Sequence, residues 1–143
     1  MNKSLNIVID TNVFLVSLAK HYKLHWIFQS LMDGKFDLCI SNEILAEYEE
    51  IIGSRYGLSK TDATLEFLLV LPNVRQITSY FRWNLLDDKD DNKFVDCAIA
   101  GNCDFIVSND RDFRKLSAVT FPNVQVLSAE QFTEKYKVII ENN

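Results

Sequence analysis

The stretch LNIVIDTNVFL, residues 5–15, limits the possible folds more than any other part of the chain. Leu5, Ile7, Val8 and Ile9 form a short apolar, largely β-branched run, the pattern of a parallel strand buried on both faces. Asp10, Thr11 and Asn12 interrupt it, without glycine or proline, before apolar residues resume at Val13, Phe14 and Leu15. A core strand that ends on a carboxylate has two explanations. Asp10 can cap a following helix by accepting from free backbone amides. It can also be a ligand at the carboxyl end of a parallel strand, where open α/β sheets place their crevices.

The same alternation continues along the chain. Strands are predicted at 5–9, 36–40, 74–77, 104–108 and 124–128, and helices at 12–19, 22–32, 42–53, 60–71, 91–101 and 129–139. Ser41-Asn42 open the third helix, Ser59 to Asp62 resemble a capping box for the fourth, and Ser128 with Gln131 opens the last. Strands separated by helices require crossover connections, so the expected fold is a three-layer α/β/α sandwich around a mainly parallel sheet of about five strands. With 143 residues, and no repeat or linker, residues 1–143 read as one domain. The apolar part of MNKSLNIVID is too short for a secretory signal, and no later run reaches membrane-spanning length. Cys39, Cys97 and Cys103 are odd in number and lack CxxC spacing, so they read as reduced thiols of a cytoplasmic protein.

Twenty acidic residues against 15 basic ones argue against broad nonspecific adhesion to nucleic acid, so the distribution of the acids carries more information. Asp10 follows the first strand, Glu43 to Glu50 the second, and Asp110 with Asp112 the fourth; LLDDKDDNKFVDCAIA, 85–100, leads into that fourth strand. On the third helix, Ile44, Leu45, Tyr48, Ile51 and Ile52 form the apolar stripe. Glu43 and Glu50 lie far from it, whereas Glu47 and Glu49 sit at its two borders, and periodicity does not choose between them. On the fifth helix, Phe94, Val95, Ala98 and Ile99 face inward. Asp91 falls on that face at the amino end, and Asp96 projects well away. Asp91 has two readings: a charge favoured by the helix dipole, or a functional carboxylate that needs a partner because burying it alone is costly. A cluster of such acids has oxygen-only ligands, which suits Mg²⁺ or Mn²⁺ better than zinc. His21 and His25 stand four apart, but Tyr22 occupies the place of the glutamate in HExxH, so both read as surface or packing residues.

On these residues the chain resembles the PIN-domain nucleases, in particular the branch of toxin–antitoxin toxins related to VapC. VIDTNVF resembles the opening motif, SNEILAEYEEII the second acidic segment, and DDKDDNKFVDCAIAGNCDFIVSNDRDF the third and fourth. The resemblance implies that Asp10, Glu47, Asp91 and Asp110 form a catalytic, metal-binding centre, and it selects Glu47 over Glu49. It assigns Asn12 and Ser108 to holding carboxylates or a water. Asp96 is implied as a ligand of a second ion or a surrounding residue, and Asp112 stands in the same outer group.

The implied reaction is hydrolysis of RNA phosphodiesters by an endoribonuclease using one or two Mg²⁺ or Mn²⁺ ions. Arg55, Arg75, Arg82, Arg111, Arg114 and Lys115 are candidates to meet backbone phosphates. SYFRW, 79–83, reads as a base-stacking platform, a protein interface or core packing. The implied partners are an RNA substrate and an antitoxin protein, with no membrane. Tyr22, Trp26, Tyr80, Phe81 and Trp83 add an expectation of a homodimer. Two competing readings are an aspartate-based phosphotransferase or phosphatase with Asp10 as nucleophile, and a noncatalytic nucleic-acid-binding module. The first needs a second aspartate where Asn12 stands.

Overall fold

The computed structural model describes residues 4–143. Among these, five strands, β1 (Asn6–Ile9), β2 (Asp37–Ile40), β3 (Val74–Gln76), β4 (Phe105–Val107) and β5 (Val126–Leu127), form one sheet in the order β3-β2-β1-β4-β5. Every pairing is parallel, with Ile7 opposite both Leu38 and Phe105 and Ile9 opposite Val107. Ile7, Val8 and Ile9 are each 0% exposed, so β1 is covered on both faces. That is why its sequence shows a continuous apolar run with no polar alternation.

Six α-helices alternate with the strands: α1 (Thr11–Ser17), α2 (His25–Met32), α3 (Asn42–Tyr56), α4 (Leu58–Val70), α5 (Asn92–Ala100) and α6 (Ala129–Glu141). α1 packs against α2 and α3, and α3 against α4, while α5 lies on β1, β4 and β2; for this strand order, the right-handed crossover rule assigns α1 to α4 to one face and α5 to the other. α6 packs beside α2, with Trp26 stacked obliquely on Phe132 and its indole N–H donating to Thr133 Oγ1 at 3.1 Å. Trp26 therefore fills the core and is not a surface aromatic available for an interface. The architecture is the expected three-layer sandwich.

The chain runs outward from β1 through β2 to β3, then returns to the other side of β1 to lay down β4. The β1–β4 boundary is thus a topological switch point, where the connections diverge and leave a crevice beyond the carboxyl ends of the strands.

Local signals set most boundaries. Ser41 caps α3 through Ile44 N–H, and Ser128 and Gln131 form a full capping box on α6. The predicted box at Ser59 to Asp62 does not form. α4 begins earlier, at Leu58, without a side-chain cap, because Gly57 at φ +85° joins α3 directly to α4. Thr61 then spends its hydroxyl on Gly57 C=O at 2.8 Å. Short 3₁₀ turns occupy Lys89–Asp91 and Arg111–Ala118, while residues 77–88 form neither helix nor strand. Among the described residues, no helix is long and apolar enough to cross a membrane.

Candidate active site

Asp10 extends the β1–β4 ladder by one residue, its N–H donating to Val107 C=O at 3.0 Å. The two sequence explanations for it are compatible. Oδ1 accepts from Asn12 N–H at 3.1 Å, which caps α1, and Oδ2 accepts from Ser108 Oγ–H at 2.6 Å. Ser108 Oγ in turn accepts from Asp110 N–H at 3.0 Å, so one hydroxyl ties the residues after β1 to those after β4. Burial raises the Asp10 pKa. The Ser108 and Asn12 hydrogen bonds oppose that shift, and the charges of Asp110 and Glu47 add to it.

Glu47 is half-buried on α3, while Glu43, Glu49 and Glu50 are exposed. Next to Glu47, Tyr48 is buried, stacked on Phe14 at 4.4 Å between ring centroids, and donates its hydroxyl to Ile9 C=O. This fixes α3 against the end of β1 and turns the Glu47 border of the helix toward Asp10. Thr11 Oγ1 donates to Glu47 Oε2, and Lys93 Nζ lies 2.7 Å from Oε1, with both charged side chains largely covered.

Asp91 joins the 3₁₀ turn to α5 and is half-buried. Its Oδ2 is buried without a hydrogen-bond partner, as is Oδ2 of Asp112. Burial, then the charges of Asp88, Asp110, Asp10 and Asp112, push the Asp91 carboxyl up to about 7. Asp110 is more exposed and uses Oδ1 to accept from Asp112 N–H at 2.9 Å. Asp10, Glu47, Asp91, Asp110 and Asp112 therefore share one electrostatic neighbourhood beyond the sheet.

As they stand, no three acidic, histidine or cysteine side chains among the described residues are arranged to hold a metal ion. Several of the candidate oxygens are directed elsewhere: Glu47 to Lys93 and Thr11, Asp10 to Ser108 and the α1 cap. The two unpartnered oxygens of Asp91 and Asp112 are the feature that fits a cation. A buried carboxylate oxygen without a donor is costly, and hard oxygen ligands suit Mg²⁺ or Mn²⁺.

Other candidates fall elsewhere. Asn12 is exposed and serves Asp10 through its backbone amide. Asp96 is buried. Segment 77–88 covers it, and Trp83 N–H donates to its Oδ1 at 3.1 Å. Burial raises its pKa, with the Trp83 amide and Arg82 opposing and Glu43 adding; none of the four main candidates is among these causes. Arg75 donates to Asn6 Oδ1 at 3.0 Å, toward the amino end of β1 and away from the acids. His21 is exposed and His25 Nδ1 lies 2.9 Å from Ser17 C=O, which agrees with their reading as surface and packing residues. Sequence reasoning misses the roles of Thr11, Lys93 and the Tyr48 hydroxyl. Thr11 and Lys93 stand inside the quoted motifs as polar residues beside the acids, and that adjacency is the signal the sequence offers.

The PIN domain family model matches residues 6–112. No curated protein matches the chain in sequence. Among solved structures, the chain is similar to VapBC2 from Rickettsia felis, solved bound to a DNA fragment from their promoter. The identity is 17%, covering 87% of this chain and 98% of that one, with a TM-score of 0.62. It is also similar to the PIN domain endonuclease Utp24, at 19% identity over 86% of this chain and 84% of that one, with a TM-score of 0.51.

Proposed function

The chain belongs to the PIN-domain family, and from that premise we propose that it is a divalent-metal-dependent endoribonuclease, the toxin of a toxin–antitoxin pair. The observation that carries the chemistry is the buried, unpartnered Asp91 Oδ2 at the switch-point crevice, in the field of Asp10, Asp110 and Asp112. Asp10, Glu47, Asp91 and Asp110 would hold one or two Mg²⁺ or Mn²⁺ ions, with Asp112 beside them. Such ions supply a water activated for in-line attack and charge stabilisation of the leaving oxygen.

The protein groups have separate tasks in this reading. Ser108 Oγ–H and Asn12 N–H fix the rotamer of Asp10. Tyr48 sets the register of α3, and Thr11 and Lys93 steady Glu47 until it is needed. Exposed Arg82, Arg111, Arg114 and Lys115 lie on segments around the crevice, where they can meet phosphates. Similarity to a structure of VapBC2 supports an antitoxin partner. A homodimer, a cytoplasmic location and a single domain over 1–143 belong to the same proposal.

The competing phosphotransfer reading needs Asp10 free for attack. Both of its oxygens accept hydrogen bonds, and Asn12 stands where the second aspartate would be. The test is cleavage of single-stranded RNA by purified protein. Activity should vanish in EDTA, return with Mn²⁺, and be lost in Asp10→Asn with the fold intact. Cleavage that survives full chelation, or a phosphoryl group trapped on Asp10, would replace this reading with phosphotransfer. Absence of cleavage under every metal condition, with RNA still bound, would favour the noncatalytic module.

A further inference from the structure

Segment 77–88 places Tyr80 85% and Phe81 73% exposed, and Phe121, from the loop before β5, is 83% exposed. Trp83 stands between the last two, 6.5 Å from the Phe81 ring and 6.4 Å from the Phe121 ring, edge-on to the latter. The rings are therefore neither core packing nor scattered. Phe81, Trp83 and Phe121 form one aromatic surface, Tyr80 precedes Phe81 in the chain, and the exposed Arg82 guanidinium beside them lies 3.7 Å from Glu43 Oε1.

The surface is held in place. Ser79 Oγ–H donates to Phe81 C=O at 2.8 Å, and Trp83 N–H is bonded to the buried Asp96 carboxylate. Leu86 exchanges both backbone bonds with the side chain of Asn92, at 2.9 and 3.3 Å. Asn84, at φ +52°, turns the chain just after Trp83 in a left-handed conformation that asparagine tolerates. A loop pinned this way loses little further freedom when a ligand covers its rings.

Its position relates it to the acids. A cleft of about 150 Å³ is lined by Thr78, Ser79, Arg82, Glu43, Asp96 and Lys93. Lys93, in one wall of the cleft, is the residue paired with Glu47, so the segment that carries the rings and the Glu47 side of the acidic neighbourhood border the same cleft.

We propose that Tyr80, Phe81, Trp83 and Phe121 form a stacking platform for the unpaired bases of single-stranded RNA, with Arg82 on the backbone phosphate. This rests on the nuclease reading and adds to it a binding surface outside the acidic centre, which takes the splayed-out bases of the strand. Aromatic faces with an interleaved arginine match the alternation of base and phosphate along such a strand. A duplex keeps its bases stacked inside and offers the platform nothing.

The experiment measures KM and kcat for Mn²⁺-dependent cleavage of a single-stranded RNA of about 12 nucleotides, together with binding by fluorescence anisotropy in EDTA. Tyr80→Ala and Phe81→Ala should each raise KM and the EDTA dissociation constant about tenfold. Both residues are exposed, so folding is unaffected. Phe81→Tyr should retain binding, whereas Phe81→Leu, equally apolar but without a π-face, should not. Added RNA should quench tryptophan fluorescence through Trp83. Parent cleavage with unchanged KM in both alanine variants would overturn the platform and leave the nuclease reading standing. If the parent binds RNA but never cleaves it, the nuclease reading fails, and the EDTA constants alone decide the platform. If the alanine variants keep their RNA constants but convert a dimer to a monomer, the surface belongs to a second copy of the chain and the proposal is wrong.

Discussion

Replacing Asp91 with asparagine should stabilise the metal-free protein above neutral pH. The native carboxyl holds its proton up to about 7, against an ordinary value of 3.8. Between those values the native state binds more protons than the unfolded chain, so stability falls as pH rises through the window. Taken whole, a shift of that size corresponds to ~4 kcal/mol at about 1.36 kcal/mol per unit. Solvent screening of a half-exposed side chain reduces this to about 1–2 kcal/mol. Burial, the largest cause of the shift, and the charges of Asp88, Asp110, Asp10 and Asp112 all stay in place in Asp91→Asn, which removes only the charge that suffers. Lys93, two residues on, is committed to Glu47. Thermal melts in EDTA should show the parent losing stability from pH 4 to 8 and the variant losing less. The two should differ by roughly 3–8 °C at pH 8 for a chain of this size. With Mn²⁺ the order should reverse, because the parent gains more from the ion. A variant that melts below the parent at pH 8 in EDTA, or that keeps the parent's pH slope, would refute the electrostatic reasoning.

Lys93→Met should lower metal-free stability by about 1–3 kcal/mol by leaving Glu47 largely covered without its cationic partner, held only by Thr11; the Mn²⁺-induced rise in melting temperature should grow, since the ion no longer competes with an ammonium. Ser108→Ala, which removes the donor to Asp10 and the acceptor of Asp110 N–H, should cost about 1–2 kcal/mol in chemical denaturation and weaken Mn²⁺ binding measured by calorimetry. Asp96→Asn should leave Mn²⁺ affinity unchanged in the same titration, because that side chain holds Trp83 N–H and Asp10, Glu47, Asp91 and Asp110 are not among the charges that act on it.

Much of the fold is legible because buried parallel strands and amphipathic helices leave strong patterns. Residues 7–9 and 38–40 are continuous apolar runs, and Ser41 and Ser128 mark the helix starts they cap. β5 is only Val126–Leu127, shorter than predicted, since an edge strand pairs on one side alone. The 3₁₀ stretch Arg111–Ala118 escapes prediction, as its period of three residues gives no helical stripe. At the site, periodicity places Asp91 on the inward face but does not separate Glu47 from Glu49. The difference lies in Thr11 and Lys93, which come from other segments and engage only Glu47. The burial of Asp96 is not legible for a similar reason: helix geometry gives the direction of a side chain, not whether a loop of no regular structure will fold over it.

The strand order also sets when the crevice can exist. β4 is laid against β1 only after about a hundred residues have been made, and Ser108 and Asp110 follow it. A nascent chain still lacking β4 already carries Asp10, Glu47 and Asp91, but its first strand has one bare flank and nothing closes the far wall. For a nuclease toxin, ribosome-bound fragments and products of early termination would then be inert. In the proposed nuclease, activity would arise only once β4 and the residues that follow it are in place.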